Sequence, residues 1–290
     1  MNSQYGVSSP QIPYQWVWAD AAARLAQAVT SSQVGFIGFQ TDIALEYRLT
    51  GVSSTRWSIN NDPSMGFERS IVPNGINNGT GFSTNMGGAV VLGTATARSQ
   101  AITNPATMLT RLGIVTAAGA GSIGLFRVVA GNSFAVMGGA RWRGRMTLGA
   151  VSTNIRYYMG MSGLPNPAAD INPNTLLNSF GIGRCNGEAN LQLVRNDGAG
   201  VGTQIDLGAS FPAATLDSAY ELEFYTFNGI SMSYQVTNLT TLAAVSGVVV
   251  TDLPALTPAG SNPIYYVSNN IDAVAVALDF VDFRFWQRVS

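Results

Sequence analysis

The residues best placed to do chemistry in this chain are carboxylates and arginines in alternation. Glu221 and Glu223 lie two apart, and Asp279 and Asp282 three apart. Two carboxylates roughly 5–10 Å apart in a cleft can hydrolyse a glycosidic bond. Arg141, Arg143 and Arg145 recur at i, i+2 and i+4, so on a strand they share one face and Trp142 takes the other. Such a row can hold phosphate, an anionic sugar or an acidic protein surface. It can equally be an exposed face paired with Glu221 and Glu223. Outward acids on strands are common, so the expectation is that the chain is not an enzyme and has no catalytic residue.

What is absent narrows the chemistry further. The chain has no histidine, and all fifteen of its Lys+Arg residues are arginine. Without histidine there is no Ser-His-Asp triad and no histidine metal site. Without lysine there is no Schiff base and no phosphate-loop lysine. Cys185 is the single cysteine; it cannot form an internal disulfide, and its Gly-Arg-Cys-Asn-Gly turn reads as structural. No metal and no cofactor is expected.

Two further groups have a functional and a structural reading. Asp170, Asn172 and Asn174 alternate, as do Asn186 and Glu188, and oxygen-rich loops can hold calcium; with Pro165, Pro167 and Pro173 nearby they also read as turns. Tyr157, Tyr158, Tyr265 and Tyr266 can stack sugars, although adjacent strand residues face opposite ways and at most one of each pair, such as Tyr158 or Tyr266, serves a given site. Core or interface packing is the alternative.

Charged residues make up 11% of the 290-residue chain, against about 25% in ordinary soluble domains. A surface so poor in charge suits a protein partly covered by partner subunits. The net charge of −1 and the lack of a basic run argue against nucleic acid as a partner. No 18-residue apolar run and no secretory n- and h-region are present, so no membrane insertion is expected.

The elements that must position these residues are strands. Residues 1–18 read as an extended arm whose Trp16 and Trp18 dock on another protein or on the next module. Residues 19–60 form a small β module: Asp20 caps a short helix from Ala21, then come strands at Gly35–Thr41, Leu45–Leu49 and Thr55–Ile59. Residues 61–95, rich in Asn and Gly, read as a linker with no room for a fibre shaft. Residues 96–290 read as a β-sandwich or barrel. The clearest hairpin surrounds Asn228-Gly229; a three-residue loop pairs Leu222 with Tyr234 and Phe224 with Met232, leaving Glu221 and Glu223 on the other face. Near the C-terminus the apolar phase switches from Val274, Val276, Leu278 and Phe280 to Val281, Phe283 and Phe285. That requires a bulge, or a strand apolar on both faces. On the second reading Val281, Phe283, Phe285 and Trp286 form a subunit interface; a loop of the same chain is the alternative cover.

Ala21-Ala22-Ala23-Arg24-Leu25-Ala26, Val34-Gly35, Gln40-Thr41-Asp42, Leu45-Glu46-Tyr47, Leu49-Thr50-Gly51 and Trp57-Ser58-Ile59 resemble, in order and spacing, a short module near the N-terminus of many phage tail-fibre and virion-surface proteins. Arg111-Leu112-Gly113, Ala117 to Ser122, Tyr158 to Ser162, Gly181-Ile182-Gly183, Asn190 to Leu193, Asn196-Asp197-Gly198, Ile205 to Gly208, Tyr220 to Phe224 and Ser268-Asn269-Asn270 are similar to the concanavalin-like jelly roll of tailed-phage virion proteins. The fold expected is therefore all-β, a jelly-roll/concanavalin-like β-sandwich preceded by a small β-rich N-terminal module. The resemblance implies a homotrimer on the particle surface and carries no catalytic residue; the single cysteine and the missing secretory signal point to synthesis in the host cytoplasm.

The functional expectation is a capsid decoration or cement knob. Trp16, Trp18, Arg24, Tyr47 and Trp57 are candidate anchors to the major capsid protein or another virion protein. Arg141, Arg143, Arg145, Tyr158 and Tyr266 are candidate ligand or anion contacts. The alternatives are a receptor-binding tail appendage that recognises host glycans, and a carboxylate glycosidase.

Overall fold

The computed structural model describes residues 16–33, 37–41, 45–51, 56–59, 65–73, 82–84, 89–128, 139–163, 167, 169–185, 187–226, 230–254 and 261–288. The chain divides into two compact units, Met1–Asp62 and Pro63–Ser290.

The first unit contains β1 (Trp16–Trp18), helix α1 (Ala21–Leu25), β2 (Ile37–Gln40), β3 (Leu45–Gly51) and β4 (Arg56–Ile59), in a four-stranded sheet of order β1-β2-β3-β4. Asp20 caps α1 by accepting from the Ala23 N–H at 2.8 Å. Residues 16–18 are not part of a free arm: they pair in parallel with residues 38–40. Trp18 needs Gly38 beneath it, because any Cβ there would collide with the indole.

The second unit contains β5 (Met65–Pro73), β6 (Phe82–Thr84), β7 (Ala89–Leu92), β8 (Thr94–Ala97), helix α2 (Pro105–Met108), β9 (Leu112–Val115), β10 (Ile123–Val128), β11 (Ala140–Ala150), β12 (Arg156–Ser162), β13 (Ser179–Arg184) and β14 (Gln192–Asn196). It continues through β15 (Thr203–Asp206), β16 (Ala219–Thr226), β17 (Met232–Asn238), β18 (Ala244–Val249), β19 (Asn262–Ser268) and β20 (Ala277–Arg288). Among the described residues these strands build a seven-stranded sheet, β15-β14-β13-β12-β19-β10-β7, and a nine-stranded sheet. The nine-stranded sheet runs β18-β17-β16-β11-β20-β5-β6, with β9 also on β20 and β8 on β9. The chain crosses between sheets after β6, β7, β9, β10, β11, β15, β18 and β19, and the described pairings in this unit are antiparallel. This is the expected all-β sandwich. The expected linker at 61–95 is not one, since β5 and β6 pair onto β20 and β7 onto β10. Glycine and asparagine between short strands disguised them as loop.

The core lies between the sheets. Trp142 stacks on Phe224 at 5.1 Å and meets Phe283 edge-on at 5.4 Å, while Phe280 packs edge-on against Tyr265 at 4.6 Å. The phase switch in β20 is a bulge. Arg145 pairs with Asp282 and Met146 with Phe280, so Val281 is the extra residue. Val276, Leu278, Phe280, Phe283 and Phe285 all enter the same core as a result. Phe283 and Phe285 are thus fully buried within their own chain and Val281 nearly so, which leaves none of the three for the expected subunit interface. Trp286 faces the other way and is half-buried.

The hairpin between β16 and β17 keeps the expected faces at a register two residues away: Leu222 pairs with Val236, Phe224 with Tyr234 and Thr226 with Met232. Five residues, 227–231, therefore connect the strands, and Asn228 and Gly229 lie outside the described residues. An even shift preserves which side chains reach the core.

Candidate functional site

The charged residues singled out in the sequence meet on the outer face of the nine-stranded sheet. β11 runs between β16 and β20, which places Arg143 opposite Glu223 and Arg284, and Arg145 opposite Glu221 and Asp282. Side chains in this register interdigitate diagonally as well as directly. Arg141 Nε donates to Glu223 Oε1 at 2.7 Å and Arg145 Nε to Glu221 Oε2 at 2.6 Å. Arg143 donates to Asp282 at 3.3 Å, and Arg284 Nε lies 3.8 Å from the same carboxylate. The Arg141 guanidinium also covers the Trp286 ring at 4.9 Å. Burial works against the charge of Arg145, yet Glu221 and Asp282 outweigh it and raise its pKa. The ladder is thus a strip of four guanidinium groups sharing three carboxylates. Its three central arginines are each matched within the chain, which is the paired-face alternative to an anion site.

Asp279 occupies the same face further along β20 and is fully buried. Arg98 Nε and Nη2 reach it at 3.0–3.1 Å, and Arg111 Nε donates to its Oδ2 at 3.0 Å. Burial lifts this carboxyl above its ordinary value even with two guanidinium groups beside it. Gly113 makes the contact possible, because a Cβ there would lie 2.6 Å from Arg98 Nε. Arg111 also donates to the Ala106 carbonyl at 2.8 Å, so Asp279 ties the segment around α2 onto β20. Asp279, Asp282, Glu221 and Glu223 are therefore each committed to arginine on a sheet face, an arrangement suited to rigidity rather than to proton transfer.

Tyr158 and Tyr266 are not surface rings. Both are fully buried on the outer face of the seven-stranded sheet, in a second apolar cluster with Leu125, Leu176, Cys185, Val194 and Ile264. The Tyr158 ring lies over the cross-strand pair Gly160 and Gly181, and its hydroxyl donates to the Met161 carbonyl at 2.8 Å. Tyr266 donates to the Ile171 carbonyl and accepts from the Ile171 N–H at 2.9 Å. Two-residue sequence spacing could not show that the segment after β12 folds back over this face. That same segment explains the oxygen-rich run. Asp170 receives Arg156 at 3.0 Å, the Asn172 carbonyl receives Thr175, and the Asn174 carbonyl receives Gly202 N–H at 2.7 Å. Among the described residues no group of three or more Asp, Glu, Cys or His is placed to hold a metal ion. Tyr157 and Tyr265 lie in the main core, with their hydroxyls on the Ala213 and Asp282 carbonyls. Cys185 is buried, which pushes its thiol up to about 12, with Glu188 adding to the shift.

In the first unit, Trp18, Arg24 and Tyr47 are buried against one another's neighbours rather than presented as an anchor. Arg24 lies 3.9 Å over the Tyr47 ring and donates from Nε to Gln40 Oε1 at 2.9 Å. Trp16 stacks on Trp18 at 6.2 Å and stays half-buried, whereas Val17, between them, is 63% exposed. The Trp57 backbone, in β4, pairs with Leu49 of β3; its side chain lies outside the described residues.

One organised feature went unread in the sequence. Asn269, fully buried, ties the β9–β10 loop to its own β19–β20 loop at one end of the sandwich. Its Oδ1 accepts from Ser122 N–H at 2.9 Å, and its Nδ2 reaches the Ala117, Gly119 and Val274 carbonyls at 2.8–3.1 Å. Nearby, Asp272 receives both the backbone and side-chain N–H of Asn154. The β19–β20 loop so fixed carries Ile271, 71% exposed, and Val274. The Ser268-Asn269-Asn270 motif was the available signal, but nothing in it indicated a bracing role.

No protein-family model matches the chain, and no curated protein matches it. Solved structures do. A protein of unknown function from Shewanella oneidensis MR-1 is 14% identical, with 77% of this chain covering 87% of that one at a TM-score of 0.44. Peanut lectin is 12% identical over 76% of this chain and 97% of its own, at a TM-score of 0.47. A carbohydrate esterase from the Shiga toxin-encoding bacteriophage phi24B is 15% identical over 70% and 91%, at a TM-score of 0.39.

Proposed function

We propose that this chain is a structural protein of a tailed-phage virion, a trimeric knob that decorates the capsid, with the first unit as anchor and the sandwich as head. The observation that carries this reading is the division of the chain. The residues resembling the virion module, 21–59, fall inside the first compact unit, and only five residues separate Ile59 from Met65, where the sandwich begins. An anchor and a head with no shaft between them suit a short knob rather than a long fibre. The paired arginine ladder supports the same reading, since its cross-strand ion pairs stiffen the head. The test is co-sedimentation of the purified protein with assembled capsids that lack it. Saturable binding is expected; no binding to capsids would remove the decoration role.

The loops braced by Asn269 favour a second reading, a receptor-binding appendage that contacts host glycans through that end of the sandwich. Purified protein would then block phage adsorption, and Asn269→Ala would weaken the block.

A further inference from the structure

The nine-stranded sheet ends at β18, Ala244–Val249. A strand edge exposes a row of backbone donors and acceptors, and proteins that stay apart protect such edges with charge, proline, a bulge or shortness. This edge has none of those. From Leu239 to Thr251 the sequence contains no charged residue and no proline. β18 pairs with β17 over six consecutive residues, Ala244 to Val249, without a register shift. No described residue bonds to its other side. Val248 is half-buried, and Val250, just beyond, is 64% exposed. The adjacent edge of the other sheet differs. β15 has four residues and ends on Asp206, whose carboxylate is held by the Gly208 N–H and by Asn190.

We propose that β18 is an assembly edge that pairs antiparallel with β18 of a second copy of this chain, continuing the nine-stranded sheet across a two-fold axis. The second copy is the occupant because the strand is complementary to itself. In an antiparallel pair, directly opposed residues point to the same face, so only registers joining residues of equal parity keep core side chains on the core side. The register centred on Gly247 sets Val245 of each copy opposite Val249 of the other on the inner face. On the outer face it sets Ser246 opposite Val248 and Ala244 opposite Val250. No like charges meet, and apolar or small residues face each other throughout. A two-fold contact of this kind is isologous and closes after two copies. If the chain also forms trimers, the same edge joins two trimers, so the inference stands independently of the virion reading.

The experiment is sedimentation equilibrium of the full chain at tens of micromolar, wild type against two double variants. In Ser246→Lys/Val248→Lys, lysines from the two copies stand opposite each other. In Ser246→Lys/Val248→Glu, each lysine stands opposite a glutamate. The wild type is expected to have an even number of copies, the Lys/Lys variant half that mass, and the Lys/Glu variant the wild-type mass. Equal thermal midpoints for the variants show that the sandwich is folded. A monomeric wild type, or a folded Lys/Lys variant with undiminished mass, overturns the proposal; a trimer unchanged by either variant overturns it while leaving the trimeric knob in place.

Discussion

Arg145 stands directly opposite Asp282, and the next pair along the same two strands is Met146 with Phe280, so one residue of β20 is passed over. That residue, Val281, sets the phase of everything after it. Deleting Val281 would remove the bulge and leave plain alternation, so Phe280, Phe283 and Phe285 keep the core face and Asp282 stays opposite Arg145. The deletion is therefore expected to leave a cooperative unfolding transition of the sandwich. Circular dichroism during urea titration checks this; loss of the cooperative transition would mean that the bulge itself is needed for the fold.

Asp279 is the fixed point of the segment around α2. Asp279→Asn leaves Arg98 and Arg111 without their counter-charge, and breaking one side of a buried pair costs about 3–5 kcal/mol. Arg98 and Arg111 keep 24% and 12% of their side-chain surface, so a loss near the lower end, about 3 kcal/mol, is expected. Urea unfolding measures it, and limited proteolysis is expected to cut first between residues 98 and 111. A variant as stable and as resistant as wild type would mean that the arginines are held by other groups.

The faces of strands were more legible than their neighbours. The alternation at Leu222 and Phe224 placed the correct side chains in the core although the hairpin register was two residues off, because parity survives an even shift. The alternation of Arg141, Arg143 and Arg145 likewise placed them on one face with their acids. What could not be read was which segments fold back over a face. Tyr158 and Tyr266 lose their exposure to residues 170–176, which lie far from Tyr266 in sequence. Phe283 and Phe285 looked surplus to one core because a bulge adds a residue without any compositional mark. The strands at 65–73 and 82–84 were hidden by the asparagine- and glycine-rich stretches around them.

The buried phenols predict an alkaline limit to stability. Burial raises the pKa of Tyr157, Tyr158, Tyr220, Tyr234, Tyr265 and Tyr266, with Tyr220 reaching about 12. A phenol whose folded pKa is raised contributes stability that is complete below its unfolded value near ~10 and is lost as pH rises through the folded value. Absorbance at 295 nm is therefore expected to rise in two stages, the later one coinciding with loss of the circular-dichroism signal near or above pH 12. Simple titration of all ten tyrosines near pH ~10 with the fold retained would contradict the burial. Cys185, raised to about 12 by the same cause, is expected to be inert to a thiol reagent at pH 8 until denaturant is added.

Gly160 and Gly181 provide the floor for the Tyr158 ring. A Cβ at Gly181 would lie 2.6 Å from the Tyr158 Cζ and would also strike the Met159 carbonyl. Overpacking in a rigid site costs about 1–3 kcal/mol, and because one obstacle here is backbone, Gly181→Ala is expected to fall at the upper end. Thermal unfolding tests it. Pairing Gly181→Ala with Tyr158→Ala should recover only the ring's share of the loss; full recovery would mean that the backbone contact is immaterial.

The most direct test of the decoration reading is copy number, measured by quantitative mass spectrometry of purified particles against the major capsid protein. Hundreds of copies per particle are predicted for a knob spread over the head. A few tens or fewer would contradict capsid decoration and point to a tail or vertex appendage. Absence from particles would contradict a virion role altogether.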